Sequence, residues 1–224
     1  MNKTINKQMN KFLILLLVLS THAFADDAPK KCPSDFGLQD ETPKIVYKAN
    51  KQFNVVVCGN IESEAKHHFQ GFEIASQDRN GKFSKIFIGS EVQRYLIDVN
   101  RSGVFLIELA YIAKEWVPTF KSAIMCSPTS CRRTPESCIY QPSTTKSIDP
   151  KALEEYRSYV SGTLKDEAPD ESLIHKWGTL ALTGNKDAQK IFQGSSGLKL
   201  DGASAETYND VAGLMKRLIQ AQCL

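Results

Sequence analysis

FQGFEIASQDRNGKFSKIFIG, residues Phe69–Gly89, decides the fold. Two runs rich in aromatic and β-branched residues flank Asp78-Arg79-Asn80-Gly81. An Asn-Gly pair tolerates the positive φ angles that a tight hairpin turn demands, so the stretch predicts two antiparallel strands. The same texture extends outward in both directions. Upstream lie KIVYKA (Lys44–Ala49) and FNVVVCGNI (Phe53–Ile61). Downstream, RYLIDV (Arg94–Val99) and VFLIELAYIA (Val104–Ala113) are joined by Asn100-Arg101-Ser102-Gly103, and TFKSAIMC (Thr119–Cys126) and CIYQ (Cys138–Gln141) follow. Seven or eight closely spaced strands predict an antiparallel sandwich or barrel. Val104–Ala113 is apolar on both faces apart from Glu108, which predicts a central strand covered on both sides. Pro118 lacks a ladder donor, so the chain is expected to leave the sheet at Trp116-Val117-Pro118.

Beyond the polar stretch Gln141–Thr145 the pattern changes to helix. Asp149-Pro150 supplies an N-cap and a first-turn proline, followed by Leu153, Tyr156, Val160 and Leu164 at helical spacing. Asp170 is read as the cap of a second helix with Leu173, Ile174, Trp177, Leu180 and Ala181 on one stripe, ending at Gly184. A short helix covers Lys186–Gln193. Ser204 is read as the cap of a last one with the stripe Tyr208, Val211, Met215, Leu218 and Ile219. The fold class is therefore α+β: an N-terminal antiparallel β-sandwich or barrel, then a small C-terminal helical segment, stapled by disulfides. The organisation expected is a cleaved signal peptide at 1–25, a β-rich domain at 26–141, a linker at 142–148 and a helical domain at 149–224. About 75 residues of helix are too few to guarantee stability alone, so the helices are expected to pack on the β part. LALTGNKDAQKIF (Leu180–Phe192) has an α-hairpin cadence, but no second copy follows at a fixed period.

Residues 1–25 follow the order of a secretory signal. Lys3, Lys7 and Lys11 precede the apolar run Phe12–Ser20 and the small-residue site Ala23-Phe24-Ala25. The run is far short of the ~20 residues a bilayer span needs. No membrane span is expected after cleavage, and a periplasmic or secreted location follows. The whole chain has 28 basic and 25 acidic residues, a net charge of +3. All of that excess lies in the signal, so the exported part carries 25 of each. With no surviving basic stripe, nucleic acid is not an expected partner.

All six cysteines, Cys32, Cys58, Cys126, Cys131, Cys138 and Cys223, follow the signal. An even count in an exported chain predicts three disulfides. Six cysteines allow 15 pairings. Cys32–Cys58 is the preferred first bond, with Cys223 expected to clamp the last helix to the Cys126–Cys138 region. That cluster has neither a C-x-x-C pair nor a nearby histidine, so neither zinc nor a redox-active thiol pair is expected.

Motifs for catalysis are weak. Adjacent His67 and His68 would point to opposite faces of a strand and are read as loop residues before one; Glu62 and Glu64 are near enough in sequence to join them in a metal site if the chain turns back. His175 falls off its helix's buried stripe. Gly194-Ser195-Ser196-Gly197 lies between two helices and lacks the strand–turn–helix setting of a nucleophile elbow. Among the strand acids Glu73, Glu108 and Glu115, Glu108 stands out because it interrupts an apolar run. It is expected either to face solvent at a sheet margin or to meet a structural arginine such as Arg94 or Arg101. No cofactor is expected. SPTSCRRTPES (Ser127–Ser137), polar and disulfide-bounded, is read as a presented loop, and Ser127, Arg132, Arg133 and Trp116 are the candidate partner-binding residues. The pattern favours a non-enzymatic protein-binding module, with an inhibitor or immunity-type protein of the envelope as one form. The alternatives are an envelope hydrolase using His67, His68 or Glu108 and a structural subunit of an envelope complex.

Overall fold

The computed structural model describes residues 28–33, 42–63, 68–90, 93–112, 115–142, 151–194 and 197–224. The signal segment, most of the 142–148 linker, Asp149-Pro150, His67, Glu64, Ser195 and Ser196 lie outside the described residues.

Among the described residues, nine strands form one antiparallel sheet. They are β1 (Ile45–Lys48), β2 (Phe53–Ser63), β3 (His68–Asp78), β4 (Phe83–Ile88), β5 (Arg94–Asn100), β6 (Gly103–Ile112), β7 (Glu115–Cys126), β8 (Cys131–Arg133) and β9 (Ser137–Cys138). The order is β1-β2-β3-β5-β6-β7-β8, with β4 on β3 and β9 on β7, and the sheet does not close. The Asn-Gly hairpin forms as expected: Gly81 takes φ 79°, and Asp78 Oδ1 accepts from the Asn80 and Lys82 amides at 2.9 and 2.8 Å. β3 is the corner. Its C-terminal half pairs with β4, while His68 and Phe69 pair with Leu96 and Tyr95 of β5. This brings Val55, Val57, Phe69, Phe72 and Ile74 against Tyr95, Ile97, Val104, Leu106 and Ile124 in one buried cluster.

Two strand expectations are corrected. The chain does not leave the sheet at Pro118; β7 runs through it, with Pro118 opposite Leu109 beside a register shift. The bulge displaces the ladder there and β9 pairs only as far as Phe120, so a missing amide hydrogen is tolerated. The stretch 127–137 is also more than a loop. Cys131–Arg133 is strand β8, which pairs with Ile124–Cys126.

Four helices follow: α1 (Lys151–Val160), α2 (Glu171–Leu182), α3 (Lys186–Ile191) and α4 (Gly202–Gln220). Asp170 caps α2, accepting from the Leu173 amide at 2.8 Å, and Asn185 caps α3. Leu164 falls beyond the end of α1. For α4 the expected cap is displaced: Asp201 is the N-cap, and Ser204 sits at the third helical position, closing a capping box with it. Trp177, fully buried, donates from Nε1 to the Ala152 carbonyl at 2.6 Å. It packs with Ile174, Leu180, Tyr208, Val211, Met215 and Leu218. Ile112, Phe120 and Tyr140 join that same cluster, and the Tyr140 hydroxyl donates to the Leu182 carbonyl at 2.8 Å. The helices thus pack on one end of β6 and β7, as their small size demands.

The disulfides are Cys32–Cys58, Cys126–Cys131 and Cys138–Cys223. Cys32 is pinned to β2. Cys223 clamps the residues after α4 to β9. Three such bonds suit an oxidising extracellular or periplasmic location, and no described helix is long and apolar enough to cross a membrane.

Candidate binding surface

Register divides the residues of β5, β6 and β7 between two faces, because neighbours opposed in an antiparallel ladder share a side. Tyr95, Glu108 and Phe120 align on the inner face, with Leu106 and Ser122 one step along it. The outer face carries Leu96, Ile107 and Lys121 on one rung and Asp98, Phe105 and Ala123 on the next. Leu109 and Pro118, then Tyr111 and Trp116, continue it toward one end, and Met125 and Arg132 lie at the other.

That outer face corrects the reading of β6 as covered on both sides. Tyr111 is 49% and Met125 54% exposed, while Leu96, Phe105, Ile107 and Trp116 are half-buried. None of these six belongs to a packed hydrophobic cluster of the described residues. The rings are ordered by their neighbours. Tyr111 and Trp116 have centroids 5.2 Å apart, the Arg94 guanidinium lies 4.2 Å over Trp116, and Lys121 Nζ lies 4.1 Å over Phe105. Such cation–π contacts hold charge flat against an apolar surface.

The inner face meets the helices through a charged junction. Glu108, 8% exposed in its side chain, accepts two hydrogen bonds from the Arg217 guanidinium, both 2.7 Å. Arg217 also reaches Glu136 at 3.0 Å and stacks 4.2 Å over Phe120. Glu136 in turn pairs with Arg133, whose Nε donates to Ser122 Oγ at 2.8 Å and whose guanidinium lies 4.3 Å over Phe87. The partner of Glu108 is therefore Arg217, not Arg94 or Arg101, and this carboxylate is used to join sheet to helix.

Tyr95 sits beside this junction and is pushed up to about 12 from the ordinary 10.0, first by burial and then by the Glu108 charge. Burial favours the neutral phenol in the native state. Between about pH 10 and 12 the unfolded chain ionises this tyrosine while the native chain does not, so stability falls as pH rises through that window. Burial also raises Tyr140, Tyr156 and Tyr159, so a spectrophotometric phenol titration should show several late tyrosines, with one fewer in Tyr95→Phe.

The sequence candidates separate accordingly. Trp116 and Arg132 share the outer face, near opposite ends of β7. Arg133 is turned inward and tethered. Ser127 lies at the exposed β7–β8 tip, where its Oγ accepts from the Ser130 amide at 3.1 Å and the Asn50 side chain donates to its carbonyl at 3.2 Å. His68 lies in β3, not in a loop. It occupies the face opposite to Phe69, Tyr95 and Glu108, so the fold does not bring His68 and Glu108 into one cleft. Glu73 pairs with Lys85 at 3.1 Å, Glu115 is exposed at the start of β7, and His175 is exposed on α2. Among the described residues no three His, Cys, Asp or Glu side chains gather as a metal site. Sequence reasoning missed Leu96, Phe105, Ile107, Tyr111 and Met125, although the two-faced apolarity of β6 was the signal.

Comparison with protein-family models, with curated proteins and with solved structures finds no match to this chain.

Proposed function

We propose that the chain is an exported, non-enzymatic protein-binding module, released by cleavage near Ala25, and that the outer face of β5–β7 is its contact surface. In this reading the two halves of the sheet are the layers of a sandwich, and the helices with the Cys126–Cys131 and Cys138–Cys223 bonds brace the layer that contains β7. An inhibitor or immunity-type protein of the periplasm or secreted space is one form of it. The observation that supports the reading is the row of half-exposed apolar side chains from Leu96 to Met125, in a fold whose other large apolar side chains mostly sit in packed clusters.

Its composition fits. Aromatic residues, methionine and arginine are the types enriched in protein interfaces. Size separates two versions. Strands ~4.8 Å apart, rising ~3.3 Å per residue, give three strands over seven rungs a projected area on the order of 300–400 Å². That suits the centre of a standard interface of about 800 Å² per partner. A permanent subunit would need more than about 1,000 Å² of it, which favours a reversible partner over the structural-subunit reading.

Ile107→Glu tests this directly, because Ile107 is half-buried at the middle of the face and outside every packed cluster. The expected result is an unfolding curve within about 1 kcal/mol of wild type and loss of the partner cross-linked by the oxidised mature protein in its native envelope fraction. A partner retained by the folded variant would refute this surface.

A further inference from the structure

We infer that the partner which docks on the outer face of β5–β7 is an acidic protein surface, one whose apolar centre is ringed by carboxylates. This rests on the binding reading and adds the chemistry of the occupant. Among the described residues, the charged groups on the face are Arg94, Lys121, Arg132 and Asp98, with His68 at the β3 end of the Leu96 rung. Setting Arg94 against Asp98 still leaves Lys121 and Arg132. Asp98 also accepts from the Asn100 side chain at 3.2 Å. The exported chain as a whole is charge-balanced, so this excess belongs to the face and not to the composition.

Lys121 lies on the Phe105 ring, within the apolar area and not at a distant rim, and docking would strip its water. A buried charge without a counter-charge is strongly unfavourable, whereas a carboxylate brought by the partner restores the balance. A second copy of this chain would bring its own Lys121 and Arg132 to the contact, setting like charges together. A lipid surface fits less well on shape. The face is a sheet whose apolar side chains are mostly half-buried, and none is a helix or loop able to enter the ~5–10 Å of the headgroup and acyl boundary.

The test uses the oxidised mature chain as bait for a phage-displayed library of random linear peptides, with Ile107→Glu as counter-selection. Selected peptides are expected to combine aromatic or aliphatic residues with flanking Asp and Glu, and to weaken in high salt. Lys121→Glu combined with Arg132→Glu should lower their affinity about tenfold. Peptides that lose binding in Ile107→Glu yet show no acidic bias and tolerate the double reversal would overturn the acidic partner and leave the binding surface standing. Peptides that bind Ile107→Glu as well as wild type, or a library that yields none, would overturn both. Two further results would overturn the inference by naming another occupant. One is cosedimentation with phosphatidylglycerol vesicles that Ile107→Glu abolishes; the other is a dimer in sedimentation velocity that the same variant abolishes.

Discussion

Arg217→Ala is expected to lower folding stability by about 3–4 kcal/mol, and Glu108→Leu by only about 1 kcal/mol, although both break the same bidentate pair. The asymmetry comes from burial. Glu108 is 8% exposed in its side chain and Arg217 36%. Without the guanidinium, the Glu108 side chain is left in a place where water cannot replace two 2.7 Å hydrogen bonds. Without the carboxylate, Arg217 retains Glu136, the Phe120 ring and a third of its surface in water. Leucine at position 108 also adds apolar contact beside Leu106 and Phe120. The pair Glu108→Leu with Arg217→Met should then sit within about 1 kcal/mol of wild type, since an apolar replacement of a buried ion pair is often neutral. Urea unfolding of wild type, Glu108→Leu, Arg217→Met and their combination forms a double-mutant cycle, with Arg217→Ala measured beside it. Equal costs for the two single variants would contradict the account and show that solvent reaches Glu108.

This pair also marks the limit of what the sequence discloses. Strand positions were legible because β-branched runs and the Asn-Gly turn act locally: β1 to β6 begin and end within a residue or two of where composition places them. Helix stripes were legible for the same reason, and Asp170 caps α2 through a side chain only three residues from the amide it accepts. Glu108 and Arg217 are 109 residues apart in sequence, and no local pattern carries that pairing. Pro118 misleads because its effect depends on a bulge set by the neighbouring strand. Strand β8 is hidden by its polarity. It has three residues and two arginines, and it is defined by backbone pairing beside the Cys126–Cys131 bond. The apolarity of Val104–Ala113 was plain, but burial and exposure to a partner demand the same residues there. Only the packing distinguishes Leu106, enclosed by the other half of the sheet, from Ile107, which is not. The candidate surface is thus written in the sequence as composition and becomes recognisable as a surface only through register.

Removing the Cys138–Cys223 bond, by Cys138→Ala with Cys223→Ala, should lower stability by about 4–5 kcal/mol, the largest effect among the three disulfides. The bond closes 85 residues, against 26 for Cys32–Cys58 and 5 for Cys126–Cys131. Cross-linking limits the unfolded chain in proportion to the logarithm of that length, giving about 2 kcal/mol for the shortest loop. The native fold should change little. Helix α4 still buries Tyr208, Val211, Met215 and Leu218 and still holds Glu108 through Arg217. Far-ultraviolet circular dichroism of the variant is therefore expected to match wild type below its transition, with the loss seen only in the urea midpoint. A smaller loss than for Cys126→Ala with Cys131→Ala would show that the clamp acts through native-state contacts instead. The proposed binding role is tested by the same variant. Cys138 pairs with Phe120 of β7, the strand that also presents Trp116, Lys121 and Met125, so the bond bears on the candidate face only through a strand already held by β6. The folded variant should keep the partner that Ile107→Glu loses, which separates a bond needed to keep the chain folded from a surface needed to use it.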